Sequence, residues 1–335
     1  MTKKLLVSFI VPVYNNSIKE LERCIRSIKK IWKINYEIII VNNGSKKNKT
    51  FEYTKLLDKI NDDSICYIYT KKKGVSNARN IGMRYSSGTF VTFVDADDII
   101  IPDFYNNLNI NDDVDLLILD AIIKNTHSSK IIQFECQNPN NVTMQELIWN
   151  LTSSYRLNNV WGKLFRLSFI KRNNIIFNSE LQLGEDVTFL SNVIIKSPIT
   201  KYISKVSYIY YQGVKNSTNR VITSPLKTYE NTKYLFNLKK SLLGKLDNYN
   251  SQLDYHVTQE YIKGMADTLF ELWHFHNEQV ELIKKRIFND FEKINLNSHF
   301  SVKTNIIIFI IKNKKYNYIN CYVFLKKKYL SIFKR

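Results

Sequence analysis

The sequence predicts an α/β protein with a doubly wound, mostly parallel sheet, helices on both faces of that sheet, and a helical C-terminal region. Two observations carry this prediction. Over the first hundred residues, short apolar runs alternate with stretches of helical periodicity, as in sheets whose strands are joined by right-handed helical crossovers. Beyond about Ser224, apolar residues recur at helical spacing with Lys and Glu between them. We expect an α/β domain at residues 1–224, with halves 1–115 and 116–224, and a helical, basic region at residues 225–335.

The first strand-helix unit begins with the apolar run Ser8–Asn15. Ser17 and Glu20 then have the spacing of a capping box, in which the two side chains satisfy backbone N–H groups at the start of a helix. The helix that follows should bury a set of apolar residues at helical spacing. This set is Leu21, Ile25, Ile28 and Trp32.

Two further units follow, and then one more strand. Tyr36–Val41 reads as a buried strand, and residues 50–60 are compatible with a helix. Ile65–Tyr69 and Val75–Tyr85 repeat the pattern of strand and helix. Thr89–Val94 completes the series as a strand that is apolar on both faces, which is typical of a parallel sheet covered by helices.

Three carboxylates follow that last strand within four positions, namely Asp95, Asp97 and Asp98. Open α/β sheets bind their ligands at the carboxyl ends of strands, which is where these acids lie. Like charges at this spacing repel one another unless a hard divalent cation neutralises them, and Mg²⁺ and Mn²⁺ prefer carboxylate oxygens. The alternative interpretation is an acidic turn that caps the next helix.

Four segments, in this order and at this spacing, resemble successive signatures of the family-two inverting glycosyltransferases, which have the GT-A fold. They are Ile10–Asn15 (IVPVYN), Glu37–Ser45 (EIIIVNNGS), Gly74–Gly82 (GVSNARNIG) and Val94–Asp98 (VDADD). Weaker similarity to bacterial enzymes that build lipooligosaccharide and capsule glycans continues through Val160–Arg166, Gly184–Val187 and Tyr208–Thr218. The resemblance covers roughly two thirds of the chain, and it does not identify the sugar.

The resemblance implies that residues 1–115 bind a nucleotide diphosphate sugar and that residues 116–224 bind an acceptor. It also implies a divalent cation, Mn²⁺ or Mg²⁺, held at the DXD motif, which is the run of acids within Val94–Asp98. The implied donor-binding residues are Pro12, Tyr14, Asn42, Asn43, Arg79, Asp95 and Ala96. In the family the last acid of the motif is the usual metal ligand. Asp97 and Asp98 therefore both remain candidates for that role, with Asp95 beside them.

One element departs from the family pattern. Two aspartates usually precede Gly-Ser, and one of them accepts a hydrogen bond from the imide of uracil, whereas this chain has Asn42 and Asn43. An amide oxygen can still accept that bond. A UDP-sugar is therefore the favoured donor, and guanine or cytosine nucleotides are alternatives.

Inversion at a sugar with a hydroxyl acceptor also needs a general base. In the family an acidic pair that opens a helix supplies it, usually through the aspartate, and Glu185 and Asp186 precede such a helix here. Acids at that position also cap a helix through its dipole, which is the alternative. Trp161 and Lys163 are candidate acceptor-site residues by the same resemblance, and Trp161 could instead belong to the core.

Composition limits the remaining classes of function. Lys and Arg outnumber Asp and Glu by 49 to 30, which gives a formal charge of +19. The sequence contains no zinc-finger or RNA-recognition signature, so no nucleic-acid partner is expected. The four cysteines are scattered without metal-ligand spacing and no signal peptide opens the chain, which together suggest a reducing, cytoplasmic location.

The end of the chain mixes short apolar runs with cations, namely Asn305–Ile311, Lys312, Lys314, Lys315, Tyr322–Leu325 and Lys326–Lys328. These runs are too short to span a bilayer. They could hold the protein on the inner face of the bacterial membrane, with apolar residues in the interface and lysines facing anionic headgroups. Alternatively, they pack as a last helix.

The resemblance implies a metal-dependent inverting hexosyl- or N-acetylhexosaminyltransferase that extends a cell-surface glycan or glycolipid. A nucleotidyltransferase is a weaker alternative, because the Gly-rich loop with a basic residue that this chemistry favours is absent after the first strand. The other alternative is a non-catalytic glycan- or membrane-binding protein of the same fold.

Overall fold

The computed structural model describes residues 6–110, 113–152, 156–181, 183–212, 225–246, 250–294 and 302–313. The chain divides into two compact units. The first comprises residues 1–180 and 185–214, and the second comprises residues 181–184 and 215–335. The domain boundary predicted after Ser224 lies outside the described residues.

The strands of the first unit, within the described residues, form one nine-stranded sheet. They are β1 (Leu6–Val13), β2 (Asn35–Asn43), β3 (Ile65–Thr70), β4 (Phe90–Phe93), β5 (Ile99–Ile100), β6 (Leu116–Lys124), β7 (Ser129–Ile132), β8 (Lys163–Arg166) and β9 (Thr200–Tyr211). The strand order is β3-β2-β1-β4-β8-β6-β9-β5, with β7 paired to β6.

Helices connect these strands. In the first unit they are α1 (Ile18–Ile28), α2 (Lys47–Ile60), α3 (Val75–Tyr85), α4 (Pro102–Asn106), α5 (Met144–Thr152), α6 (Leu167–Arg172) and α7 (Glu185–Ile195). The second unit contains α8 (Pro225–Leu243), α9 (Ser251–Leu272), α10 (Glu278–Glu292) and α11 (Val302–Lys312). The α/β fold class and the helical C-terminal region predicted from the sequence are both confirmed.

The sheet is parallel in its first half and mixed in its second. Strands β3, β2, β1 and β4 are parallel neighbours, so their carboxyl ends meet at one edge. Strand β8 runs antiparallel to β4 and to β6, whereas β6 and β9 are parallel over a long register. The loops that carry the predicted donor-site residues therefore converge on the edge formed by β1, β2 and β4.

Strand β2 shows how helices cover both faces of the sheet. Its residues Ile38 and Ile40 belong to the large core that α1 and α2 also enter. The alternate residues Ile39 and Val41 point to the opposite face, where they pack with Ala78 of α3. Because neighbouring side chains of a strand point to opposite faces, a continuous apolar run is what a strand buried on both faces requires.

Helix α1 confirms the predicted capping box, since Ser17 and Glu20 each accept a hydrogen bond from the other's backbone N–H. The prediction for Trp32 is wrong. The helix ends at Ile28, and Trp32 lies beyond it with 72% of its surface exposed. Ile31 and Ile34 are buried instead, because the chain is no longer helical at this point and the 3.6-residue period no longer applies.

Helix α3 lies very close to β1 at Gly82. A Cβ atom at this position would be 2.3 Å from Cγ2 of Ile10, a separation that side chains do not tolerate. Glycine therefore allows the helix to approach the strand. The approach matters for the site, because Arg79 extends from the same helix.

The second unit has its own helical core, which includes Leu269, Ile287, Ile308 and Ile311. Within this core, the carboxylate of Asp290 accepts hydrogen bonds from the hydroxyls of Tyr229 (2.8 Å) and Tyr261 (3.1 Å) and from Lys233 (3.0 Å). Among the described residues, no helix has the length and hydropathy needed to cross a membrane.

Candidate active site

The three acids after β4 lie in very different surroundings. Asp97 is exposed and Asp95 is partly exposed, whereas Asp98 is fully buried. The backbone N–H of Asp98 donates to the carbonyl of Asp95 at 3.0 Å, which closes a tight turn over residues 95–98, the acid loop. Only two of the three carboxylates are therefore presented toward the edge of the sheet.

The carboxylate of Asp98 is used within the protein. Its Oδ2 accepts from the hydroxyl of Tyr208 at 2.6 Å, and its Oδ1 accepts from the backbone N–H of Tyr211 at 2.8 Å. Burial, together with the nearby charge of Asp95, raises the pKa of Asp98 to about 8. The Tyr208 hydroxyl also accepts from the backbone N–H of Asp95 at 3.1 Å. Asp98 and Tyr208 therefore fix the conformation of the acid loop.

Asp97 is the acid best placed to meet a cation. Partial desolvation by surrounding protein atoms and the neighbouring charge of Asp95 raise the pKa of Asp97, so a positive charge at this position would be stabilising. Within the described part of the chain, no group of three or more His, Cys, Asp or Glu side chains could hold a metal by itself. Two carboxylates suit Mg²⁺ or Mn²⁺ when substrate phosphates and water fill the remaining positions. The carboxylates of Asp95 and Asp97 thus fit the predicted cation.

Arg79 connects two acids from distant parts of the sequence. Its Nη1 donates to Oδ1 of Asp186 at 2.6 Å, and its Nη2 donates to Oδ1 of Asp95 at 3.2 Å. The guanidinium is buried, with its carbon 5.3 Å from the centre of the Phe177 ring. The Nε atom has no hydrogen-bond partner among the described residues. Arg79 thus links the acid loop to the start of α7.

Asp186 lies in the first turn of α7, and Glu185 beside it is partly exposed. Burial raises the pKa of Asp186 to about 6, while the charge of Arg79 acts in the opposite direction. Oδ2 of Asp186 accepts from the backbone N–H of Val160 at 3.3 Å. A carboxylate with this pKa is largely ionised at neutral pH and can still take up a proton, as a general base must.

Trp161 and Lys163 are both buried. The Trp161 ring stacks on the rings of Tyr208, at 5.2 Å, and Tyr210, at 5.7 Å, and only 8% of Trp161 is exposed. The Nζ of Lys163 donates to Oδ1 of Asn159 and to the carbonyl of Trp161, both at 3.1 Å, and burial lowers its pKa to about 7. These contacts stabilise the loop from residue 159 to residue 163, which carries the N–H that holds Asp186.

The predicted donor-site residues of the β1 and β4 loops differ in exposure. Tyr14 is 46% exposed, and its ring centre is 5.9 Å from Nζ of Lys73. Pro12 and Ala96 are buried. Tyr14 can therefore offer a ring face to a base, whereas Pro12 and Ala96 can contribute mainly backbone shape.

Asn42 is fully buried, and its amide is engaged on every side. Nδ2 donates to the hydroxyls of Thr50 (3.0 Å) and Tyr67 (2.8 Å), and Oδ1 accepts from the backbone N–H of Ser45 (3.0 Å). A carboxylate at this position could not donate to the two hydroxyls, although they could donate to it. The amide here stabilises the loop after β2.

Asn43 joins three elements at the same edge. Its Nδ2 donates to the carbonyl of Val13 at 3.2 Å, and its Oδ1 accepts from the backbone N–H of Gly74 at 3.3 Å. These bonds tie β2 to the end of β1 and to the residue that precedes α3. One amide proton and one oxygen lone pair remain for other partners.

Two residues that position the site were missed from the sequence. Asn80 exchanges two hydrogen bonds of 2.8 Å with the backbone N–H and carbonyl of Phe177, whose ring lies against Arg79. Tyr208 holds the acid loop from β9. Tyr208 falls in a segment of weak similarity and Asn80 in a strong motif, but no local pattern shows that their partners are 110 and 97 residues away. The weak segment ends at Thr218, which lies outside the described residues.

Comparison with known proteins gives consistent matches. The family model described as Glycosyl transferase family 2 matches residues 8–146. The chain is 27% identical over 263 residues to EpsH of Bacillus subtilis (strain 168), a match that covers 74% of this chain and 73% of EpsH. This chain spans 39% of the length of a second curated relative and 63% of the length of a third, which in both cases is less than two thirds.

Two solved structures are similar in fold. Residues 1–349 of TarS from S. aureus, in complex with UDP-GlcNAc, match with a TM-score of 0.65 and 18% identity over 98% of this chain and 92% of that one. The mannosyltransferase PcManGT from Pyrobaculum calidifontis, in complex with GDP-Man and Mn²⁺, matches with a TM-score of 0.53 and 11% identity over 93% and 87% of the two chains. At these identities the likeness shows a shared fold.

Proposed function

We propose that this chain is a glycosyltransferase, which is supported by the family 2 model that matches residues 8–146 and by the similarity to a curated relative. The transferred group is a hexosyl or N-acetylhexosaminyl group, and it passes with inversion from a nucleotide diphosphate sugar to a hydroxyl of a growing cell-surface glycan, such as a lipooligosaccharide or a capsule. The observation that carries this proposal is the pair of contacts made by Arg79. The guanidinium lies between Asp95 of the acid loop and Asp186 at the start of α7. These contacts bring the acid proposed for the donor side and the proposed general base close together.

The proposed chemistry assigns the proton to Asp186. The acceptor oxygen forms a bond to the anomeric carbon from the face opposite the diphosphate, while the bond from that carbon to the diphosphate oxygen breaks. The acceptor proton passes to the carboxylate of Asp186, whose pKa of about 6 suits this role near neutral pH. Glu185 is the neighbouring acid whose charge adds to that raised pKa.

The donor is proposed to be a UDP-sugar. Tyr14 offers an exposed ring to the base, and Asn43 retains hydrogen-bonding capacity toward it. TarS, which shares the fold, is described with UDP-GlcNAc bound. PcManGT is described with GDP-Man. Guanosine and cytidine diphosphates remain the alternatives to uridine diphosphate.

A divalent cation is proposed as the cofactor. Asp97 would hold it, with Asp95 beside it, and a bound Mn²⁺ or Mg²⁺ would act as a Lewis acid on the departing diphosphate. Asp98 is less suited to this role, because both of its oxygens already accept hydrogen bonds from the protein. The fold relative PcManGT is described with Mn²⁺.

The C-terminal region is proposed to rest on the inner face of the membrane, as a peripheral attachment. On α11, Ile308 and Ile311 are buried in the helical core, whereas Ile306 and Phe309 are each 51% exposed. The exposed pair could enter a lipid interface. The lysine cluster Lys326–Lys328 and the cations Lys314 and Lys315 lie outside the described residues. Replacing Lys326–Lys328 by Glu in the full chain should weaken sedimentation with anionic vesicles, and unchanged sedimentation would contradict this attachment.

The function is tested in two steps. Thermal stabilisation is measured with UDP, GDP and CDP, each with and without Mn²⁺, because a ligand that binds only the folded state raises stability with the logarithm of its concentration. Hydrolysis and transfer are then measured with a panel of sugars on the stabilising nucleotide. Nucleotide binding without turnover of any donor would contradict the proposed enzyme. Retention of anomeric configuration in the product would contradict inversion.

A further inference from the structure

The most exposed side chains of α1 and of the loop after it are all cationic except for one tryptophan. Within residues 18–33, the exposed side chains are Lys19, Arg23, Arg26, Lys29, Lys30, Trp32 and Lys33. We refer to this set as the α1 face. No acidic side chain of this segment is exposed to the same degree, since Glu20 and Glu22 are both partly buried.

Three acids near the α1 face have partners that occupy them. Glu20 accepts from the backbone N–H of Ser17 at 3.0 Å in the capping box, and Glu22 pairs with Arg26 at 2.6 Å. Asp62 pairs with Lys29 at 2.6 Å. Across the described residues, Lys19, Lys30 and Lys33 have no ion pair within 4.0 Å. The face thus carries cations that no acid in the described part of the chain pairs with.

Trp32 is held outward by its surroundings. Ile31 and Ile34 on either side of it are buried, and the backbone N–H groups of Trp32 and Lys33 both donate to Oδ1 of Asn106, at 2.9 and 3.2 Å. The side chain is therefore presented from a fixed backbone with 72% of its surface exposed. Tryptophan beside lysine is a favoured combination at the boundary between membrane and water.

An open depression of about 450 Å³ lies along the same helix. It is lined by Lys19, Glu22, Arg23, Arg26, Ser27, Lys30 and Ile99. Four cations and one acid line it, and that acid is already paired with Arg26. The shape and charge of this depression suit an anionic group such as a phosphate on a lipid headgroup.

We propose that the α1 face docks on an anionic lipid bilayer, with Trp32 in the headgroup layer and the cations against lipid phosphates. Charge complementarity carries the choice of partner, and the exposed tryptophan favours a lipid interface over a soluble polyanion. This surface belongs to the first unit, whereas the attachment proposed above uses α11 of the second unit.

The location of the α1 face has a consequence for the reaction. Arg23 donates a hydrogen bond to the backbone carbonyl of Asp97, and its guanidinium lies 4.0 Å from the centre of the Tyr211 ring. The charged face is therefore continuous with the acid loop. A membrane docked here would present hydroxyl groups of a membrane-linked acceptor close to the catalytic edge of the sheet.

Sedimentation of the full-length protein with vesicles tests the docking. Vesicles of phosphatidylglycerol in phosphatidylcholine are compared with pure phosphatidylcholine. The double variant Lys30→Glu/Lys33→Glu should lower partitioning onto the anionic vesicles on the order of 10-fold or more, since each near-surface cation contributes substantially. Trp32→Ala should lower it as well. Partitioning that neither change lowers would overturn the proposal.

Helix α2 provides a matched control. Lys47 and Lys55 are exposed there, and Phe51 is an exposed aromatic residue with Nζ of Lys55 4.4 Å from its ring centre. Lys47→Glu/Lys55→Glu makes the same change in net charge, and Phe51→Ala removes a comparable ring. Both control variants should change partitioning less than about 2-fold. Equal losses in the two sets would show a general effect of net charge and overturn the docking site.

Quenching of tryptophan fluorescence by brominated phosphatidylglycerol reports the position of Trp32 directly. The parent protein should be quenched, and Trp32→Phe should lose most of that quenching while it still binds vesicles. Equal quenching in both proteins would place another of the four tryptophans in the bilayer and contradict the proposal. Binding to a single-stranded oligonucleotide that the same variants abolish, without binding to vesicles, would show a nucleic-acid surface instead. Donor hydrolysis without vesicles should be unchanged in all these variants, so failure of docking is distinguishable from failure of the proposed enzyme.

Discussion

Replacing Asp98 by Asn tests whether this side chain holds the acid loop or binds the metal ion. The carboxyl is fully buried, and its folded-state pKa is about 8, above the ordinary value near 4. A pKa raised by folding means that the group's contribution to stability is fully present below the unfolded pKa and is lost as pH rises through the folded pKa. The parent protein should therefore lose stability between about pH 4 and about pH 8, and Asp98→Asn should lose less.

The size of this effect follows from the pKa difference. One unit corresponds to about 1.4 kcal/mol, so a difference of about four units sets an upper limit of roughly 6 kcal/mol above pH 8. Relaxation around the charged form lowers this limit, and the amide makes a poorer match to the hydroxyl of Tyr208, at a cost of about 1 kcal/mol. We therefore expect Asp98→Asn to be about 1–4 kcal/mol more stable than the parent at pH 9 and similar or slightly less stable at pH 4.5.

Urea unfolding at intervals from pH 4.5 to pH 9 measures this difference. Asp103→Asn, in an exposed position of α4, is the control and should follow the parent curve. Metal-dependent nucleotide binding should persist in Asp98→Asn and be weakened in Asp97→Asn. Parallel pH curves for the parent and Asp98→Asn would refute the assigned burial of the charge. Loss of metal-dependent binding in Asp98→Asn, with retention in Asp97→Asn, would make Asp98 the metal ligand.

Three further changes test the remaining assignments. Asp97→Ala should abolish transfer and weaken metal-dependent nucleotide binding, measured by turnover and by calorimetry with Mn²⁺, and a folded variant with normal turnover would rule out the metal role. Asp186→Asn should lower kcat on the order of 10²-fold at unchanged donor affinity, and lost affinity with normal kcat would place this residue in the donor site. The parent kcat should rise with pH through about 6, because Asp186 acts in its ionised form. Arg79→Gln should move that rise to higher pH, because the guanidinium lowers the pKa of Asp186. Arg84→Gln, at an exposed position of the same helix, is the control and should leave the pH profile unchanged. A profile that Arg79→Gln does not move would contradict an effect of the ion pair on this pKa.

The local architecture of the first hundred residues could be predicted because its signals are local. Apolar strands that end in polar turns, and the capping box at Ser17, depend on neighbouring residues alone. The path of the chain after α1 was misjudged at Trp32, because a helical period was continued past the point where the backbone leaves the helix. Nothing in the local sequence marks that point, since Lys29 and Lys30 are good helix formers.

The inner arrangement of the site depends on contacts between residues that are far apart in sequence. Asp97 and Asp98 are neighbours in one motif, yet Asp98 is buried and bonded to β9 whereas Asp97 is exposed. Arg79 and Asp186 are 107 residues apart, so their contact depends on how α7 returns to the sheet. Such distances carry no periodic or spacing signal, which is why a role for Tyr208 was not anticipated.

The burial of Asp98 also affects how a descendant of this protein could change. A lineage that abandoned the chemistry would be released from keeping Asp97, yet it would still need an acid or a close substitute at position 98 to hold the turn against Tyr208 and Tyr211. Survival of an acid or amide at position 98 in a divergent sequence is therefore evidence that the loop still folds, and under the proposed metal role survival of Asp97 is the better indicator that a sugar is still being transferred.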